Sequence, residues 1–190
     1  MKTYLVTSLK ITALTMILFG VIYPLIITGI ATFTAAGGGD GKTVVVNGKV
    51  VGFEVIGQSF TSGKYFNGRP SAVGYNAAAT GGSNKGPTNP DFLATVEGRV
   101  SDFLNKNPEA KKEDIPVDLV SASGGGLDPH ISPAAAEIQI PRIARVREIN
   151  ADHLRMLIRT NTETPLFGFL GTSKVNVLKI NLALDSITTK

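Results

Sequence analysis

Cysteine and tryptophan are absent from this 190-residue chain, histidine occurs twice, and charged residues make up only 18%. Without cysteine there is no disulfide scaffold, no thiol nucleophile, no iron–sulfur cluster and no cysteine zinc site. Two imidazoles, His130 and His153, do not suffice for a histidine cage, and no HExxH spacing occurs. No block of like charge exists either. Nineteen Lys plus Arg stand against fifteen Asp plus Glu, and residues 37–190 hold 17 against 15. That near-balance argues against a basic surface for nucleic acid.

What the chain does have is one long apolar run. Ile11 to Ala36 contains no charge in 26 positions. As a helix it is about 39 Å long, against a hydrocarbon core of roughly 30 Å. Lys2, Lys10 and the Thr34-Ala35-Ala36 end would also suit a cleaved leader, but leader cores run about 7–15 residues. Length therefore favours a retained transmembrane helix over 11–36. Residues 1–10 precede it, and residues 37–190 form a soluble domain. Lys10 abuts the run and predicts a cytoplasmic N-terminus with the domain outside, on a margin of about one charge. Pro24 lies mid-span, and Gly20, Thr28, Gly29, Ala31 and Thr32 allow close approach of a second helix. A lone helix without an ionisable residue encloses no pore.

Beyond the run, Gly37–Gly41 reads as a joint. Thr43–Val46, Asn47-Gly48 and Lys49 onward read as a hairpin with a type I′ turn, its second strand extending as far as Ile56. Residues 61–91 hold 16 Gly, Pro, Asn or Ser in 31, a composition of loops. Tyr65, Phe66 and Tyr75 within it argue for order. Asn89-Pro90 and Ser132-Pro133 are cap-and-start pairs for helices, Pro141 divides the second of these, and Asn150 caps another. Ile115–Val120 is expected as a short strand, and Val175–Leu182 as a strand running into a last helical turn. The sum is an α+β fold: one N-terminal transmembrane helix and a single mixed α/β extracytoplasmic domain.

Candidate sites are few. Ala36–Thr43 nearly spells a P-loop but lacks its first glycine, a preceding strand and a following helix. Asp128, His130 and Ser123 could form a hydrolase triad, although residues so close in sequence seldom orient as one. A local turn at Asp128-Pro129-His130 is the simpler reading. Two glycine-rich stretches, Gly81-Gly82-Ser83-Asn84 and Ser123-Gly124-Gly125-Gly126, could offer backbone N–H groups to an anion or a partner, or could be packed turns.

Four blocks then bring a family into view. They are Tyr23-Pro24-Leu25 in the span; Ile56–Phe60 with Tyr65–Ala72, Tyr75-Asn76 and Gly81–Pro90; Asp118–Pro133 with Ala134–Ala136 and Gln139–Ala144; and Val175–Leu178 with Asn181–Asp185. Together, in order, they resemble the C subunit of the bacterial Kdp-type potassium-transporting ATPase. Gly37–Lys49 and Asn105–Pro116 fall outside the likeness. The resemblance implies a non-catalytic accessory subunit of an ATP-driven potassium uptake pump in the bacterial inner membrane. Its implied partners are a potassium-channel-like subunit, an ATP-hydrolysing P-type subunit and a small single-span subunit. It implies assembly or stabilisation of the complex, and a catalytic-chaperone effect that raises the hydrolysing subunit's ATP affinity. No Asp-Lys-Thr-Gly-Thr phosphorylation motif occurs in the chain. No cofactor of its own is expected, with ATP reached only through the complex. Nucleotide contact, if made here, is expected at Gly81–Asn84 and Ser123–Gly126, and partner docking at Gln58, Tyr65, Arg69, Tyr75 and Asn76. The alternative is a membrane-anchored extracytoplasmic binding module or hydrolase.

Overall fold

The computed structural model describes residues 2–188. Helix α1 (Lys2–Ile17), a wide turn (Leu18–Ile22) and α2 (Tyr23–Thr34) follow one another without a break. Pro24 explains the wide turn. Its ring would clash with the carbonyl of Gly20, four residues back, and it donates no N–H. The chain opens to five-residue spacing there, with Tyr23 N–H donating to Leu18 O. Thr3–Thr34 is one 32-residue apolar helix, about 48 Å long, and is long and apolar enough to cross a membrane. None of its described side chains is buried against the domain.

A short turn, Ala36–Gly39, leads into hairpin β1 (Thr43–Val46) and β2 (Lys49–Phe53). Asn47 and Gly48 both have positive φ, 51° and 75°, as a type I′ turn requires. The strand stops at Phe53, short of the expected Ile56, because the Ile56 N–H turns back onto Phe53 O.

Residues 54–89 contain no helix or strand. Helix α3 (Pro90–Lys106) then starts where Asn89 Oδ1 accepts from the Phe92 N–H, 3.1 Å. Ile115–Val120 is not a strand. Two 3-10 turns, Lys112–Asp114 and Val117–Leu119, replace it: Pro116 has no N–H for a ladder, and its carbonyl accepts from the Leu119 N–H.

The rest of the domain is β3 (His130–Ile131), α4 (Pro133–Glu137), α5 (Ile140–Arg147), α6 (Ala151–Thr160), β4 (Thr162–Glu163), β5 (Lys174–Asn176) and α7 (Val177–Thr188). The expected caps form. Ser132 Oγ accepts from Ala135 N–H, and Asn150 Oδ1 from Asp152 N–H. Antiparallel pairing gives the order β3-β5-β4. The final segment corrects the sequence reading: the strand ends at Asn176, and helix starts at Val177. Asn176 Oδ1 accepts from the Lys179 N–H, which caps the first turn. Val177, Ile180 and Leu184 recur at helical spacing and are all buried.

The core consists of Leu119, Ile131, Ala135, Ala136, Ile140, Ile143, Leu154, Ile158, Val175, Val177, Ile180 and Leu184, with Phe66 inserted from the long loop. Side chains of the helices hold that loop by its backbone. Asn181 accepts from Phe66 N–H (2.9 Å) and donates to Phe66 O (2.9 Å). Gln139 does the same for Asn67, at 2.8 and 3.2 Å. Arg142, 2% exposed, donates to Asn107 Oδ1 (2.8 Å), Gln139 Oε1 (2.7 Å), Tyr65 O (3.0 Å) and Gly63 O. Burial lowers its pKa to about 10, so the guanidinium is charged at neutral pH.

Asn181→Ala would leave the buried N–H and C=O of Phe66 without partners. Each such group costs about 1–3 kcal/mol. The substitution should therefore lower the stability of the detergent-solubilised chain by about 2–5 kcal/mol in urea unfolding.

Candidate functional site

The loop clamped at Phe66 and Asn67 carries most of the residues singled out by sequence. Downstream of the clamp it lies against the segment before β3. Ser123 N–H donates to Pro70 O (3.3 Å) and Gly81 N–H to Gly125 O (3.1 Å), while upstream of the clamp Gly57 N–H donates to Leu127 O (2.8 Å). Ser71 Oγ donates to Gly126 O at 2.6 Å and accepts from Tyr75 N–H at 2.9 Å. The two glycine-rich stretches, some forty residues apart in sequence, therefore meet backbone to backbone.

They are also unequal along their length. Gly126 is buried and has φ +72°; an added Cβ would stand 2.6 Å from Val73 Cγ2 and 3.0 Å from Gly81 O. Gly82 lies close enough that its Cβ would meet Gly124 O at 3.1 Å. Ser123 is buried, and its carbonyl accepts from the Gly126 N–H. Ser83, Asn84, Gly124 and Gly125 are exposed. The amides of Gly81, Ser123 and Gly126 are thus donated within the chain, Gly82 is half-buried, and Ser83, Asn84, Gly124 and Gly125 form the exposed rim.

The five expected docking residues make contacts within the domain. Arg69 pairs with Asp128 at 2.9 Å, while its Nε is buried without a hydrogen-bond partner. Tyr75 Oη donates to Arg69 O at 2.5 Å, and burial followed by the Asp128 charge raises its pKa. Tyr65 Oη donates to Asp185 Oδ2 at 3.0 Å, with the Arg147 guanidinium 4.8 Å from its ring centre. Gln58 Nε2 donates to Val51 O at 3.0 Å. Asn76 is exposed, and its Oδ1 accepts from Ala78 N–H at 3.0 Å, an Asx turn. Arg69, Tyr65 and Tyr75 are half-buried, so each presents a partly open face over a contact made inside the domain.

A cleft of about 570 Å³ opens beside Arg69, lined also by Asp118, Asp128, His130, Ser132 and Lys174. His130 sits 3.5 Å from Asp128 through Nδ1, and burial, then Lys174, lowers its pKa, which keeps it neutral at pH 7. The triad is not assembled. Ser123 does not line this cleft, and Asp128 Oδ1 accepts from the His130 backbone N–H (3.0 Å), as the simple turn requires. Among the described residues no group of three or more acidic or imidazole side chains could hold a metal.

Sequence reasoning missed the holders: Gln139, Arg142 and Asn181. A signal was present, because Asn181 falls between Val177 and Leu184 on an apolar helix stripe, where a carboxamide needs an internal partner. The contrast between glycines tests the site's construction. Gly126→Ala should destabilise the solubilised chain by about 1–3 kcal/mol in thermal unfolding, whereas Gly125→Ala, with open space at its Cβ, should stay within about 0.5 kcal/mol.

Comparison with known proteins places this architecture. Residues 5–186 match the family described as K+-transporting ATPase, c chain (KdpC). A potassium-transporting ATPase KdpC subunit of Flavobacterium psychrophilum is 52% identical over 179 residues, 94% of this chain and 96% of the relative. Its counterpart in Flavobacterium johnsoniae is 51% identical over 183 residues, covering 96% and 98%. One from Bacteroides fragilis is 44% identical over 192 residues, covering both chains completely. The glycine loops, the clamped segment and the capping pairs all lie inside the matched span. This chain belongs to the KdpC family, the c chains of K+-transporting ATPases.

Proposed function

We propose that the chain is the assembly subunit of an ATP-driven potassium uptake pump in the bacterial inner membrane, crossing it once with its N-terminus in the cytoplasm and its domain outside. The chain is an accessory subunit and is not catalytic by itself. One observation carries the reading: family membership runs from the apolar helix through to α7, so helix and domain belong to one subunit design. In this proposal the helix packs against membrane helices of the channel-like and ATP-hydrolysing subunits and of the small single-span subunit. Its Gly20, Gly29 and Ala31 permit close approach, and the wide turn before Pro24 gives it a non-uniform surface. The domain docks through the half-buried faces of Tyr65, Arg69 and Tyr75, with Gln58 and Asn76 beside them.

An effect on the hydrolysing subunit's ATP affinity enters this proposal through the complex. On an outside domain the exposed rim, Ser83-Asn84 and Gly124-Gly125, contacts protein. With the opposite topology it becomes the place for phosphate oxygens, since backbone N–H groups suit them.

The chain's lack of cysteine makes one experiment decisive for both parts. In intact cells producing the whole pump, a Lys111→Cys chain, labelled at an exposed position away from the glycine rim and the docking residues, is treated with a membrane-impermeant biotin–maleimide and captured on avidin, with the cysteine-free parent as blank. Capture of the chain together with potassium-stimulated ATPase activity is the expected result. Labelling only after lysis would overturn the outside placement, and capture of the chain alone would overturn the assembly role.

A further inference from the structure

Between Glu163 and Lys174 the chain carries ten uncharged residues, Thr164-Pro-Leu-Phe-Gly-Phe-Leu-Gly-Thr-Ser173. At their base β4 and β5 pair, Glu163 opposite Lys174. Above them a tight turn closes on itself: Leu166 N–H donates to Leu170 O (3.1 Å) and Leu170 N–H to Leu166 O (2.9 Å). Phe167 holds φ +55° and Gly168 +81°, a left-handed pair in which a bulky aromatic is unusual. The side chains point away from the domain. Leu166 is 64% exposed, Phe167 78%, Phe169 75% and Leu170 52%. Four large apolar side chains side by side in water form the kind of patch that marks a membrane or protein contact.

We propose that this hairpin tip inserts into the lipid bilayer beside the chain's own membrane helix, a reading that rests on that helix being an anchor. Three observations favour lipid over a protein partner. First, the tip's side chains are pure hydrocarbon, with no polar atom for a partner to read, and its flanks, Thr164, Thr172, Ser173 and Lys174, are polar, as suits a membrane interface. Second, the tip enters lipid with most of its backbone donors already used. The N–H groups of Leu166, Gly168, Phe169 and Leu170 are all donated within the turn.

Third, the tip is rooted next to the point where the chain leaves the membrane helix. Glu54 joins the two. Its N–H donates to Lys42 O (2.9 Å), and its carbonyl accepts from Asn176 Nδ2 (2.8 Å). Its carboxylate takes Lys179 at 2.5 Å and Lys42 at 2.9 Å, and Lys179 reaches on to Glu163 at 3.5 Å. Hydrogen bonds from Lys179 and then Lys42 hold the Glu54 carboxyl below the usual range, so the network is charged at neutral pH. Lys42 follows the end of α2 at Thr34 by eight residues. From Asn176 back to Phe169 is seven residues, an arm of at most about 25 Å.

The absence of tryptophan from the chain provides the test. Phe167→Trp, Phe169→Trp and, as a control in the span, Phe19→Trp are each made in the full chain. Each is reconstituted in phosphatidylcholine vesicles with and without brominated acyl chains, alone and with the other pump subunits. Insertion predicts blue-shifted emission at positions 167 and 169, loss of emission in brominated lipid, and protection from aqueous iodide. If position 19 is quenched by brominated lipid while 167 and 169 respond only to iodide, the insertion is wrong and the anchor stands. Shielding of 167 and 169 from both quenchers only in the presence of the other subunits identifies a protein contact and also overturns the proposal. No quenching at position 19 in the chain reconstituted alone would overturn the anchor and the insertion with it.

Discussion

A buried guanidinium and two buried carboxamides hold this domain together. Arg142 lies in the core without a carboxylate, and a charge there is tolerable only when every donor is answered. Carbonyls of Gly63 and Tyr65, Asn107 Oδ1 and Gln139 Oε1 answer it. Gln139, oriented by Arg142, brackets the backbone of Asn67, and Asn181 brackets that of Phe66. Side-chain amides here take the place of a neighbouring strand. A segment with no regular structure is thereby fixed as firmly as a sheet edge, and Phe66 is delivered into the core.

The remainder of the loop follows from that attachment. Phe66 and Asn67 being fixed, Pro70, Ser71 and Tyr75 come to rest on the segment before β3, and the two glycine stretches close on each other. Gly126 is needed where Val73 and the Gly81 carbonyl crowd it. The candidate surfaces, Tyr65 over Asp185, Arg69 over Asp128 and the exposed glycine rim, are thus parts of one construction. For the docking proposed above, irregular backbone has to be held still before the partner arrives, because ordering it at the moment of binding costs affinity.

Much of the local structure was legible. Asn47-Gly48 announced the hairpin, and Asn89, Ser132 and Asn150 announced helix starts, because these signals lie within three residues of what they bond. Family blocks covering the span, the loop and α7 identified the pump component. The short strands were not legible. Two and three residues long, β3, β4 and β5 are set by pairing with segments beyond any local signal, His130 with Asn176 and Thr162 with Val175, and Val175–Leu182 looked like a strand because Val, Ile and Leu fit either period. The clamp was hidden for the same reason, its partners lying 72 and 115 residues apart. The expected docking residues were placed on the surface by their chemistry alone, whereas Tyr75 and Arg69 also bond within the domain.

Every surface on this side of the domain depends on residues 63–67 being held by the helices behind them. Amide hydrogen exchange of the full chain in detergent micelles measures this directly. If the clamp is as described, the amides of Phe66 and Asn67 exchange as slowly as that of Ile180 in α7, far behind the exposed amide of Ala77 in the same loop. Exchange of Phe66 and Asn67 at the rate of Ala77 would contradict it.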